Sequence, residues 1–242
     1  MVVSLVVLIV FVGALTRATF GFGEALVAMP LLALLPIGLP TAASLIAIVS
    51  LTLAVIGIVG GSGQVDRKVL LRLCLGAVLG VPLGVALVLL VPERAVAAAL
   101  GCFLVGYGWY AATSHRPAGT APLEVAWPVG VVAGGLGSAY GFHGIPVVVY
   151  GTRRGWSPAM FRETLHVFFL VAGVLVVSGQ AIGGLWSDEL PLLVAVSLPV
   201  VGLAALLGRA LHARIPVDRF QRSVHLLVLV LGVVLLTRAV LS

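Results

Sequence analysis

Apolar residues run along this chain in unbroken blocks, not in alternation. The blocks cover about 1–16, 24–37, 41–61, 69–91, 95–113, 123–139, 144–152, 158–184, 190–211 and 220–240. Polar residues gather between them, most densely in TSHRPAGTAP at 113–122. Blocks of about 20 residues match a hydrocarbon core of roughly 30 Å, where only helices and closed barrels satisfy the backbone. Without period-two alternation a barrel is excluded. The pattern predicts an all-α polytopic membrane protein. Two adjacent pairs of blocks are short for a full crossing: 1–16 with 24–37, and 123–139 with 144–152. Each pair is predicted to form a hairpin of broken helices. The turns fall at FGFGEALVAMP (Phe20–Pro30) and YGFHGIPVVVY (Tyr140–Tyr150).

Composition strengthens this picture. The chain is 61% hydrophobic and 9% charged, with mean hydropathy +1.25, against about 25% charged residues in an average soluble domain. A surface in water could not be covered by so few charges. No basic residue precedes the first apolar block, so a cleavable leader is not expected there. Cys74 and Cys102 lie inside apolar blocks and predict neither a disulfide nor a metal site. The net charge of +6 reads as membrane topology, not as a nucleic-acid partner.

The two halves resemble each other. Pro30, Gly63 and Gln64 recur as Pro146, Gly179 and Gln180, and Ser62 as Ser178, each 116 residues later. Gly84 and Pro92 recur as Gly208 and Pro216, each 124 later. This predicts a first transmembrane repeat at 1–113, a cytoplasmic linker at 114–122 and a second repeat at 123–242. A hairpin plus three crossings is an odd number, so the second repeat is expected to be inverted. Loop charges agree. Arg67, Lys68 and Arg72 follow the third block, whereas Asp188 and Glu189 stand at the corresponding place in the second half. Placing Arg67 in the cytoplasm puts 12 of the 14 basic residues on or nearest that side, all but Arg94 and Arg238. That is a strong positive-inside bias. Arg17 is counted there on the expectation that its hairpin reaches the cytoplasmic face; a shallower hairpin leaves it buried.

Inverted repeats with broken helices are a construction of secondary transporters. A helix that starts inside the membrane presents free N–H groups and the positive end of its dipole, which suit an anion. At these residues the chain resembles the TauE/SafE family of sulfite and sulfonate permeases. The resemblance rests on GFGEALVAMPLL in the first half and GFHGIPVVVYGTRRGWSPAMFRETL in the second. The chain departs from the family pattern at His143, where glycine is usual, and at Ile145, where a first proline is common. The resemblance implies transport of small sulfur-containing anions such as sulfite or organosulfonates.

Gly21, Gly23, Gly141 and Gly144 are the candidate backbone donors at the two breaks. Glu24 and His143 are the candidate proton carriers, one at each break. A carboxylate in a membrane helix costs roughly 2.5–3.5 kcal/mol on insertion scales, and histidine titrates near neutral pH. The competing readings are a helix N-terminal acid for Glu24 and a structural hydrogen bond for His143. Arg162 is a candidate fork for an oxyanion or a cytoplasmic anchor, and His166 shares its helix face. Gln64 and Gln180 are candidate substrate contacts or helix caps, too far apart for one common site. Arg17 either pairs with Glu24 across the tip or anchors the hairpin. The four tryptophans suit membrane interfaces and receive no chemistry.

The sequence therefore predicts a multi-pass protein of the cell (inner) membrane. It is expected to carry small anions by alternating access, with proton coupling through Glu24 or His143. No cofactor, metal or nucleic-acid partner is expected, and a homo-oligomer is left open. The alternatives are a passive anion channel and, further off, a membrane-embedded enzyme, for which no nucleophile–base or metal spacing appears.

Overall fold

A computed structural model describes residues 2–58, 63–113, 121–211 and seven positions between 229 and 237. The described residues are helical and include no strand. In chain order the helices are α1 (Val2–Phe20), α2 (Glu24–Leu32), α3 (Leu39–Ile58), α4 (Arg67–Leu90) and α5 (Glu93–Thr113). A 3-10 turn at Leu123–Val125 leads into α6 (Ala126–Tyr140), followed by α7 (Gly144–Arg154), α8 (Pro158–Ile182) and α9 (Leu190–Leu211). Leu229, Gly232 and Leu236 of the last described stretch lie against Gly108, Leu104 and Gly101 of α5, running antiparallel to it. Most of the predicted linker and the start of the last apolar block fall outside the described residues.

Both predicted hairpins form. Each turns on three residues, Gly21–Phe22–Gly23 between α1 and α2, and Gly141–Phe142–His143 between α6 and α7. Gly21 and Gly141 hold φ of +86° and +77°, a left-handed conformation that side chains with a Cβ resist. Two details of the expectation change. α1 runs for 19 residues and is long and apolar enough to cross a membrane, because no proline stands between Val2 and Phe20. The short arms are α2, α6 and α7, of 9, 15 and 11 residues. Second, Pro30 is the seventh residue of α2, whereas Pro146 is the third of α7. The left-handed glycines bring the turns into register at 141 − 21 = 120 residues, so the proline match at 116 is not a structural equivalence.

Helix packing follows from small residues. Gly76, Gly80 and Gly84 form one face of α4, four residues apart. A Cβ on any of them would run into the backbone of α6 at Trp127, Val131 and Gly135. Gly130 and Gly134 of α6 face Leu73 and Ala77 of α4 in return. Such small-residue faces let backbones approach within a membrane, where burial of apolar surface supplies no force between helices. Another face of α4 carries Leu71, Leu75, Leu79 and Leu83, all more than half exposed, which suits lipid.

α3 and α8 cross antiparallel at the centre. Gly57 near the end of α3 meets His166 near the start of α8, and Leu51 meets Gly173 further along. The loops that follow these two helices therefore lie at opposite ends of the pair. Asp66, after α3, donates its backbone N–H to Thr164 Oγ1 near the start of α8. Ser187, after α8, accepts a hydrogen bond from Thr41 Oγ1 near the start of α3. The hairpins likewise open at opposite ends. The first returns toward Leu39, whose N–H bonds Glu93 Oε1. The second returns to the end where Arg154 donates to the Ala121 carbonyl.

Candidate functional site

The two turns meet halfway along the central helices. Ser50 is the twelfth of 20 residues in α3, and Phe169 the twelfth of 25 in α8. Around them lie Arg17 from the end of α1, Glu24 from the start of α2, and His143 from the second turn. Arg17, Glu24, Ser50 and His143 are all buried, Arg17 at 2% exposure. Arg17 Nη1 pairs with Glu24 Oε1 at 2.5 Å and also donates to Ser50 Oγ. Ser50 donates its hydroxyl proton to Glu24 Oε1 at 2.7 Å, and its oxygen lies 2.9 Å from His143 Nε2. With that single proton committed to Glu24, the network assigns the imidazole proton to Nε2, which donates to Ser50. Phe169 closes the group. The Arg17 guanidinium sits 4.2 Å from the centre of its ring, and the His143 ring meets it edge-on at 5.0 Å.

Burial explains why these groups bond to one another. An isolated charge at this depth is costly, and a hydrogen-bonded pair is the tolerable form. The pairing is incomplete, however. Arg17 Nε and Nη2 and His143 Nδ1 are buried without a hydrogen-bond partner. Beside the pair lies a cavity of about 20 Å³, lined by Glu24, Ala25 and Leu26 from the first turn of α2, by Gly144 and Ile145 from that of α7, and by Phe169. Both half-helix starts thus face one space, which has room for about one water.

Of the predicted residues, Gly21, Gly23, Glu24, Gly141, His143 and Gly144 are brought together here. Arg17 pairs with Glu24 and does not anchor the hairpin at the cytoplasmic face, so it leaves the count of cytoplasmic cations. Arg162 is exposed, with its aliphatic stem over Gly21. It lies at the first tip, seven residues before Phe169 along α8. His166, one turn further along α8, is partly buried against Gly57, with a buried and unpartnered Nδ1. The glutamines are elsewhere. Gln64 is exposed in the link between α3 and α4. Gln180 is buried eleven residues beyond Phe169 and donates to the Ser138 carbonyl of α6 at 2.8 Å, a bond that joins two helices. Trp109, Trp127 and Trp186 are exposed near helix ends. Trp156 instead packs edge-on between Tyr150 and Phe161 and donates to Asp66.

Ser50 and Phe169 were missed by sequence reasoning. A lone serine in an apolar helix usually bonds its own backbone, and a phenylalanine in HVFFL carries no polar signal. Only the crossing of α3 and α8 brings both to the tips.

Broken helices whose starts enclose a buried ion pair, within a layer of helices able to cross a membrane, define an integral membrane protein with a polar centre. The family comparison agrees. The chain belongs to the sulfite exporter TauE/SafE family, whose model matches residues 5–235. By family it is a membrane exporter of sulfite-type anions. Comparison with curated proteins and with solved structures gives no match.

Proposed function

We propose that this protein is a proton-coupled secondary transporter of a small sulfur oxyanion, sulfite or an organosulfonate, across the cell membrane by alternating access. The observation that carries the reading is the meeting of two half-helix starts around the Arg17–Glu24–Ser50–His143 network at mid-length of α3 and α8. In it the backbone donors near Gly21, Gly23, Gly141 and Gly144 cradle the anion's oxygens, and Glu24 and His143 carry protons. Arg162 and His166 mark the approach along α8. The antiparallel crossing of α3 and α8 and the opposed hairpins support two inverted repeats, divided near 113–123, that exchange access to the centre. A cavity of about 20 Å³ at the tips favours gated access over an open pore.

The test is uptake of radiolabelled sulfite and sulfoacetate into proteoliposomes. Accumulation above equilibrium under an imposed pH gradient is expected. Flux that only dissipates the anion gradient, whatever the pH difference, identifies a passive channel and ends the coupled reading.

A further inference from the structure

Arg17 is a cation with three of its five N–H donors unspent. Its Nη1 serves Glu24 and Ser50, while Nε and Nη2 are buried with no partner. Each unmade bond of a buried charged donor carries a desolvation cost. A guanidinium offers paired N–H groups suited to a planar or pyramidal oxyanion, and here one edge is held by a carboxylate of the protein's own. We infer that Arg17 is the cationic ligand of the transported oxyanion and that Glu24 is its resident competitor, displaced only when it takes up a proton. The inference rests on the transport reading above and names the ligand within that site.

Space and charge both require the exchange. The cavity beside Glu24 holds about one water, so an oxyanion cannot be added to the intact pair. It has to take the carboxylate's place as the tips part. The starting centre is Arg17⁺ with Glu24⁻, net zero. An anion arriving with a proton gives Arg17⁺, the anion and neutral Glu24, again net zero. An anion without its proton leaves one uncompensated negative charge at mid-depth, which the membrane penalises. One proton therefore accompanies each negative charge of the substrate. A dianion needs a second proton, and His143, bonded to Ser50 with Nδ1 bare, is placed to take it. The groups facing Glu24 are Arg17 from α1, Ser50 from α3, His143 from the second turn, and His166 of α8 within electrostatic range.

Binding of methanesulfonate, a monoanion at all working pH values, tests this by calorimetry on the purified full chain. Linkage of one proton to binding makes the wild-type affinity fall about tenfold per pH unit over roughly pH 5 to 8. Titration in two buffers of different ionisation enthalpy should count one proton taken up per anion. Glu24→Gln should bind with a flat pH profile, at the wild type's acid-side affinity. Arg17→Gln with Glu24→Gln removes both charges, leaves no unpaired buried ion, and should bind at least about tenfold more weakly than Glu24→Gln alone. A wild-type proton count of zero, an unchanged slope in Glu24→Gln, or full affinity in the double variant each overturns the inference while leaving anion transport standing. Absence of wild-type binding and uptake for methanesulfonate, sulfite and sulfoacetate alike ends the transport reading and the inference together.

Discussion

The hydroxyl of Ser50 joins the two halves of the polar centre, accepting from Arg17 and donating to Glu24 on one side and meeting His143 on the other. Ser50→Ala leaves His143 Nε2 buried without a partner and takes a donor from Glu24. The expected cost is about 1–3 kcal/mol, read as a lower melting temperature in detergent. Ser44, on the same helix, is the contrast. Its hydroxyl is buried with no partner, so Ser44→Ala should melt at or above the wild-type temperature. Arg162 invites a different experiment. Its exposed position over Gly21 favours a point charge that guides anions over a bidentate ligand. Arg162→Lys should then transport like wild type, and Arg162→Ala should raise KM several-fold and blunt its salt dependence. Weak transport by the lysine variant would return the guanidinium fork to the binding site.

At the scale of elements, the α4–α6 seam depends on residues that have no side chain. Gly80 faces the Val131 carbonyl so closely that a Cβ would collide with it. Gly80→Leu is expected to separate the two helices and abolish the monodisperse peak in size-exclusion chromatography. Gly202 lies in α9 with nothing near the place its Cβ would occupy. There Gly202→Ala should leave the elution profile unchanged and stabilise by up to about 1 kcal/mol through helix propensity. Equal outcomes for the two substitutions would mean that close backbone approach does not hold the seam. The breaks in the hairpins obey the same economy of form. Gly21 and Gly141 need the left-handed region, whereas proline, absent from both three-residue turns, does not make either break.

For the whole molecule, the antiparallel crossing of α3 and α8 sets the loops at Arg67 and Asp188 apart. Both residues are exposed, so single cysteines placed there can be labelled in sealed vesicles after Cys74 and Cys102 are replaced by alanine. Labelling from opposite sides is expected. Reaction from one side alone for both sites would sink the inverted arrangement. Removing Arg17 from the cytoplasmic tally leaves 11 of the 14 basic residues expected on that side, a bias that still favours the same orientation.

Among the described residues the apolar blocks determined the order of the helices, and their ends from α1 to α9 fall within about five residues of the observed ones, because lipid selects for uninterrupted runs of helix length. Glycine in the left-handed region made both hairpin turns legible, and Glu24 and His143 stood out because ionisable groups are rare in such blocks. What one dimension does not carry is the angle at which helices cross. The sequence left Arg17 balanced between anchor and ion pair, Arg162 between oxyanion fork and anchor, and Gln64 and Gln180 between substrate contacts and helix caps. It passed over Ser50 and Phe169 altogether. Tertiary packing decided each of these. The crossing of α3 and α8 and the depth of the two tips choose which side chains share a buried space, and that space then compels Arg17, Glu24, Ser50 and His143 to satisfy one another.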